Sequence, residues 1–280
     1  MTSENGPSER DGGPTEADGT FGAVVGRRRM FTGAAYAAAG VAVGVTIGAC
    51  SSSNGGSGAS AQTSTSGTVA PGTTALPAPT TKRPDTPAAA LEALKAGNER
   101  YATGAPLHPN QGVELRQSFA DTQNPFIGVL ACADSRVIPE LIFDQGISDV
   151  FDVRVAGNIA DPADISSLVY AVEVLGVDLI TVMGHTNCGA VKAAIDVSAG
   201  KMQAGEFAPL TDAIQPAVDA VKPTSNSGDQ LQKTIDANAK LQAEALTKSS
   251  PALAAAVKDG RLTIVPSVYD LATGRVRILS

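Results

Sequence analysis

The chain has 280 residues and a formal net charge of −7 at pH 7. An acidic balance offers no basic face to a phosphate backbone, so the composition argues against nucleic acid as a partner. Trp is absent and aromatic residues make up only 4% of the chain, so the apolar residues are mainly aliphatic. This composition favours an α/β domain with Val-rich buried strands and Ala-rich helices.

The first 50 residues have the pattern of an export signal. Residues 27–29 are three arginines, and a run rich in Ala, Gly and Val follows over residues 33–49. A charged segment, an apolar stretch and a small-residue end are typical of a signal peptide, and the paired arginines resemble a twin-arginine signal. Residues 47–50 read Ile-Gly-Ala-Cys, which resembles a bacterial lipoprotein cleavage box with Cys50 as the lipid-modified residue. An uncleaved membrane anchor is the alternative.

A tether is predicted over residues 51–86, which consist mainly of Ser, Gly, Thr, Ala and Pro. Such a segment cannot bury enough apolar surface to fold. The folded domain is therefore predicted over residues 87–280. We expect it to lie outside the cytoplasmic membrane, on its outer face, held there by the lipid anchor.

Strands and helices are predicted to alternate within residues 87–280. The apolar spacing predicts strands over Phe126–Ala131, Val150–Val155, Asp178–Gly184 and Leu262–Val268, and a hairpin over Val268–Leu279. It predicts helices over Pro87–Tyr101, Pro162–Leu175, Cys188–Ala199, Pro209–Val221 and Gln230–Thr247. Asp161 is the expected cap of the second of these helices. This order predicts an α/β fold with a mostly parallel central sheet flanked by helices.

Two residues able to bind metal follow predicted strands. Cys132 comes directly after the first strand and His185 directly after the third. In parallel sheets the ligand crevice lies outside the carboxyl ends of the strands, so both side chains are expected at the same edge. Cys188 follows His185 by three residues. Two thiolates and one imidazole suit zinc, and three protein ligands leave the fourth position open for catalysis. A Cys132–Cys188 disulfide is the alternative.

A carboxylate and a guanidinium stand next to Cys132. Asp134 is in reach of the open zinc position, and Arg136 can hold it by a charge-assisted hydrogen bond. Held in this way, Asp134 can orient a hydroxide made at the zinc toward a substrate. Because two thiolates offset the charge of the ion, we expect the acidification of water to be weaker and the rate to rise toward alkaline pH.

Together these residues form a two-part motif. Cys-x-Asp-x-Arg at 132–136, followed by Gly-His-Thr-x-Cys-Gly at 184–189, resembles the β-class carbonic anhydrase family. The resemblance covers about residues 90–280 and includes the runs at 97–101 and 154–158, although Val155 stands where Asn is more usual.

This resemblance implies zinc, the reversible hydration of carbon dioxide to bicarbonate and a proton, and a homodimer or a dimer of dimers. The plant-like subgroup of the family lines its substrate pocket with a Gln, a Phe and a Tyr, which correspond here to Gln123, Phe151 and Tyr170. Part of that lining comes from the partner subunit in the family. The absence of Trp argues against the bicarbonate-regulated subgroup.

Three other functions remain open at this point. The same zinc site could hydrolyse carbonyl sulfide or carbon disulfide. The chain could instead be a lipoprotein that binds zinc or bicarbonate without catalysis, or a surface module held by a disulfide.

Overall fold

The structure, a computed structural model, describes residues 83–222 and 226–280. The predicted signal region 1–50, with Cys50, and the tether up to residue 82 lie outside the described residues. In the described part of the chain, no helix combines the length and apolar character needed to cross a membrane.

Five strands and eight helices make up the described domain. The strands are β1 Ile127–Ala131, β2 Val150–Arg154, β3 Leu179–His185, β4 Thr263–Tyr269 and β5 Val276–Ile278. The helices are α1 Pro87–Ala102, α2 Val113–Ser118, α3 Pro139–Ile142, α4 Pro162–Glu173, α5 Gly189–Ser198, α6 Ala208–Asp219, α7 Ser227–Ser249 and α8 Pro251–Lys258. A 3₁₀ turn, Ala156–Asn158, follows β2 and a second, Gly205–Phe207, precedes α6.

The strands form one sheet in the order β2-β1-β3-β4-β5. The first four are parallel and β5 pairs antiparallel with β4. Every residue of β1 and β3 is buried, as expected for central strands covered by helices on both faces. The predicted α/β fold with a mostly parallel sheet is confirmed.

Capping residues explain where several helices begin. Asp161 accepts hydrogen bonds from the backbone N–H groups of Ala163 and Asp164 at the start of α4, as the sequence predicted. Asn226 caps α7 in the same manner, so this helix begins three residues before its predicted start. The predicted helix at Cys188 begins one residue later, because Cys188 has an extended backbone and is the N-cap of α5.

Three helices were not predicted: α2, α3 and α8. The first two have six and four residues, too few for a helical period to be read from apolar spacing. The third has a readable start, because Pro251 occupies its first turn and the Ser250 hydroxyl accepts from the Leu253 N–H.

The core lies on both faces of the sheet and extends to its carboxyl edge. At that edge, Cys132 and Cys188 are packed with Ile214 of α6 and with Ile235 and Ala239 of α7. Helices α5, α6 and α7 therefore cover the region where the predicted metal ligands lie.

Candidate metal centre

The three predicted metal ligands come together at the carboxyl edge of the sheet. Cys132 directly follows β1, His185 is the last residue of β3, and Cys188 is the N-cap of α5. Strands β1 and β3 are neighbours, so Cys132 and His185 reach the carboxyl edge of the sheet next to each other. The candidate ligand atoms of all three buried residues lie within 4.8 Å of one another. We call Cys132, His185 and Cys188 the metal-binding group, or ligand set.

The imidazole of His185 is oriented by a backbone carbonyl. Its Nδ1 lies 3.0 Å from the carbonyl oxygen of Thr186, an acceptor only, so Nδ1 carries the proton and Nε2 carries the lone pair. The side chain is fully buried, and Nε2 has no hydrogen-bond partner in the described residues. A buried acceptor without a donor is costly in a folded protein unless something else occupies it. A metal ion fits that position.

The spacing of the two sulfur atoms also fits zinc. Cys132 Sγ and Cys188 Sγ are 4.0 Å apart. Tetrahedral zinc with Zn–S bonds of ~2.3 Å places two sulfurs about 3.8 Å apart, whereas a disulfide bond is ~2.05 Å long. Both cysteines are free in the structure, so the Cys132–Cys188 disulfide considered as an alternative is not formed.

The environment of Cys132 favours its thiolate. The contact with Cys188 lowers the pKa of Cys132, helped by His185 and the Gly157 amide and opposed by burial. The same contact raises the pKa of Cys188. Metal binding requires both cysteines as thiolates, and two adjacent sulfurs beside an imidazole are a ligand set that zinc accepts.

Asp134 is held by Arg136 beside the ligand set. The Arg136 guanidinium donates to both carboxylate oxygens, from Nε to Oδ1 at 2.9 Å and from Nη2 to Oδ2 at 2.7 Å. The Arg136 backbone N–H donates to Oδ1 at 3.0 Å. This guanidinium holds the pKa of Asp134 well below its usual range. Oδ2 lies 3.9 Å from His185 Nε2, so an ionised carboxylate directly borders the metal-binding group.

Two residues near the site were not predicted as part of it. The Arg154 guanidinium on β2 donates to the carbonyl oxygens of Cys132 at 3.2 Å and Asp134 at 2.7 Å. The Gly157 N–H donates to the Cys132 sulfur at 3.3 Å. Both belong to the run at 154–158 that the sequence resemblance includes. That run was the feature of the sequence from which their place near the site could have been predicted.

The predicted pocket residues lie away from the ligand set of the same chain. Phe151 and Tyr170 contact each other, with ring centroids 6.2 Å apart. Phe151 pairs with Gly128, four residues before Cys132 on the same strand, a separation of about 13 Å at ~3.3 Å per residue. Gln123 is exposed and precedes β1, whereas Cys132 follows it. The structure thus brings Phe151 and Tyr170 together, but not with the three ligands.

Known proteins share both the sequence and the fold. The family model described as Carbonic anhydrase matches residues 127–276. A carbonic anhydrase of Mycolicibacterium smegmatis is 40% identical over 198 residues, which cover 69% of this chain and 94% of the relative. The chain belongs to the β-class carbonic anhydrase family. The Coccomyxa β-carbonic anhydrase, solved with acetazolamide, is 31% identical with a TM-score of 0.53, covering 58% of this chain and 75% of that chain.

A second β-carbonic anhydrase structure supports the fold assignment alone. One of two enzymes described as tetrameric, from Sordaria macrospora, is 24% identical with a TM-score of 0.53, covering 68% of this chain and 96% of that chain. Membership in the family confirms the predicted β-class carbonic anhydrase and the predicted class of enzyme. The plant-like subgroup, the lipoprotein form and the export signal stay predictions.

Proposed function

We propose that this carbonic anhydrase hydrates carbon dioxide reversibly to bicarbonate and a proton, with zinc held by Cys132, His185 and Cys188. The observation that supports this most strongly is the juxtaposition of a buried, unpartnered His185 Nε2 with two sulfurs and an ionised Asp134. Family membership supports the same reaction. Zinc, when bound by such a set, supplies the acidification that makes water a nucleophile near neutral pH.

In this proposal, Asp134 aligns the attacking water. Its carboxylate is ionised because Arg136 holds the pKa low, so Oδ2 can only accept a hydrogen bond, which directs a lone pair of the water toward carbon dioxide. Arg136 also keeps the carboxylate from moving onto the metal. Arg154 supports the arrangement, since its guanidinium ties the Cys132 and Asp134 carbonyls to β2.

The substrate pocket is proposed to be completed by a second copy of the chain. Gln123, Phe151 and Tyr170 do not reach the ligand set of their own chain, yet the side chain of Tyr170 is 46% exposed. Strand β2, which carries Phe151, is an edge strand, and an open edge is a ready site for association. A homodimer, or a dimer of dimers, would bring an amide donor and two rings to the partner's metal. This assignment follows the plant-like subgroup.

The location of the enzyme is proposed from the sequence pattern of residues 1–86. The paired arginines and the Ile-Gly-Ala-Cys box support export and lipid attachment at Cys50, with residues 51–86 as the tether. The enzyme would then act on the outer face of the bacterial cytoplasmic membrane. Mass spectrometry of the mature N-terminus tests this, because lipid-modified Cys50 as the first residue is the expected result.

Stopped-flow hydration of carbon dioxide, followed with a pH indicator, tests the reaction on the purified zinc-loaded chain. We expect turnover that rises toward alkaline pH and is abolished by Cys188→Ser. Asp134→Asn should retain stoichiometric zinc and lose at least 10-fold in rate. Asp196→Asn is the matched control, since Asp196 also forms an ion pair, with Lys192, but on the surface of α5.

The outcomes separate this proposal from the other functions. Full activity of Asp134→Asn would contradict the role given to the carboxylate. A zinc-loaded chain without carbon dioxide hydration would contradict the proposed reaction, and turnover of carbonyl sulfide or carbon disulfide would then identify the substrate. Bound zinc without turnover of any of these gases would indicate a binding protein.

A further inference from the structure

Helix α7 turns a row of polar side chains toward the protein interior. Thr234, Asn238 and Gln242 follow one another at intervals of four residues, so they lie on one face of the helix. Their exposed fractions are 0%, 1% and 7%. Buried polar side chains are retained only where they are hydrogen-bonded, so each needs an identified partner.

Gln242 uses its whole amide group. Its Nε2 donates to the Asn238 Oδ1 and to the Ala213 carbonyl, both at 3.1 Å. Its Oε1 accepts from the Ala160 N–H at 2.9 Å. Two donors and one acceptor are therefore satisfied, and the Asn238 side chain is held in one orientation.

Asn238 in turn is hydrogen-bonded to the turn that follows β2. Its Nδ2 donates to the Gly157 carbonyl at 2.8 Å. The N–H of the same glycine donates to the Cys132 sulfur at 3.3 Å. A continuous path of hydrogen bonds thus runs from Gln242 through Asn238 and Gly157 to a sulfur of the metal-binding group.

The turn needs this support because its backbone is in an uncommon conformation. Gly157 has φ of 72° and Asn158 has φ of 46°, both in the left-handed region that costs non-glycine residues energy. The two positions are buried. Glycine adopts this conformation without steric cost and asparagine tolerates it, so the position of the turn depends on the groups bonded to it, and the Asn238 amide is one of those groups.

We propose that Asn238, held by Gln242, is a positioning residue that keeps the Gly157 N–H on the Cys132 sulfur and thereby sets how strongly this thiolate donates to the metal. The inference rests on the proposed zinc function. An N–H donor withdraws electron density from a thiolate, and groups that orient metal ligands change metal affinity by about 10–100-fold when mutated. Asn238 is 50 residues from Cys188, the nearest metal ligand in sequence, and the ligand motifs do not include it.

The test compares three variants of the full chain, each prepared with cobalt for spectroscopy and with zinc for the measurement of metal loss. Asn238→Leu keeps the number and branching of the side-chain heavy atoms and removes the donor. Gln242→Met removes the support of Asn238, together with the bonds to Ala160 and Ala213, but leaves the Asn238 amide in place. Thr234→Val is the matched control, because the Thr234 hydroxyl is equally buried on α7 but donates only to the Gln230 carbonyl of its own helix.

Two readouts are independent of turnover: the energy of the thiolate-to-cobalt charge-transfer band and the rate of zinc loss to a chelator. For Asn238→Leu we expect a band at lower energy, because the thiolate loses the N–H donor. We also expect zinc loss about 10–100-fold faster, because the turn that positions Cys132 is no longer held and this outweighs the stronger donation of the thiolate. Gln242→Met should change both in the same direction by less, and Thr234→Val should change neither. Should Asn238→Leu not fold, Asn238→Ser carries the same test.

The inference is overturned if Asn238→Leu has the wild-type band and the wild-type rate of zinc loss. It is also overturned if Thr234→Val, at an equal loss of stability, shifts both readouts as much. A wild-type chain with no thiolate-to-cobalt band would instead contradict the metal ligands of the proposed function.

Discussion

Replacing Arg136 by Met separates the stability of the site from its activity. The substitution keeps the aliphatic stem of the side chain and removes two hydrogen bonds to Asp134, at 2.9 and 2.7 Å. The Arg136 side chain is 57% exposed, and exposed ion pairs contribute about 0–1 kcal/mol to folding. We therefore expect urea unfolding of Arg136→Met to differ little from that of the wild type.

Activity should fall much further, because the carboxylate loses its orientation. A misplacement of about 1 Å in a catalytic group costs on the order of 100-fold in rate, equivalent to about 2.7 kcal/mol in the activation free energy. The assay is kcat/KM for carbon dioxide hydration by stopped flow, together with zinc content and urea unfolding of the same preparation.

Arg277→Met is the matched control for this prediction. Arg277 donates from Nη2 to both oxygens of Asp236 at 2.9 Å, and its side chain is 56% exposed. The two variants should lose similar stability, but only Arg136→Met should lose activity. Wild-type kcat/KM in Arg136→Met, or equal losses of activity in both variants, would refute the reasoning.

Three further predictions follow from the described residues. Gly157→Ala places a methyl group 2.7 Å from Ile214 Cδ1 at a φ of 72°, so urea unfolding should show a loss of about 2–4 kcal/mol. Burial, with Glu140 nearby, raises the pKa of Asp152 to about 7, whereas the unfolded value is about 3.9. The stability of the folded state therefore falls as pH rises from about 4 to about 7 and levels off above that. Asp152→Asn should be more stable than wild type by about 1–2 kcal/mol at pH 8, with a smaller difference at pH 5. Removing zinc with a chelator should lower Tm, because free zinc at 1,000 times its Kd stabilises the folded chain by about 4 kcal/mol. Cys188→Ser should abolish this response.

Each of these has a result that contradicts it. Wild-type stability of Gly157→Ala would mean that the turn can relax away from Ile214. A difference between Asp152→Asn and wild type that stays constant from pH 5 to pH 8 would contradict the raised pKa. A Tm that is the same with and without chelator would mean that Cys132, His185 and Cys188 hold no zinc in solution.

Much of the fold could be predicted because it depends on local patterns. The central strands are continuous apolar runs, and Asp161 followed by Pro162 is a local capping signal for α4. The short helices α2 and α3 could not be predicted in this way, because four to six residues carry no measurable period. Their positions depend on the neighbours against which they pack.

The metal-binding group was also readable from sequence, for a topological reason. Cys132 follows β1 and His185 ends β3, and these strands are neighbours in a parallel sheet. Cys188 is three residues after His185, so the chain has little freedom to separate the three. The pocket residues differ, since Phe151 and Tyr170 meet each other at a distance from their own metal-binding group.

The sheet, the grouping of Cys132, His185 and Cys188 and the Asp134–Arg136 pair could be predicted from sequence, because each depends on neighbours along the chain or on a regular strand. Two hydrogen bonds could be found only in the folded structure: the Gly157 N–H donates to the Cys132 sulfur, and the Asn238 amide donates to the Gly157 carbonyl. Asn238 is 81 residues from Gly157 along the chain, and its helical spacing predicts only which face it shares. What that face contacts depends on how α7 packs, and packing is a property of the whole folded domain.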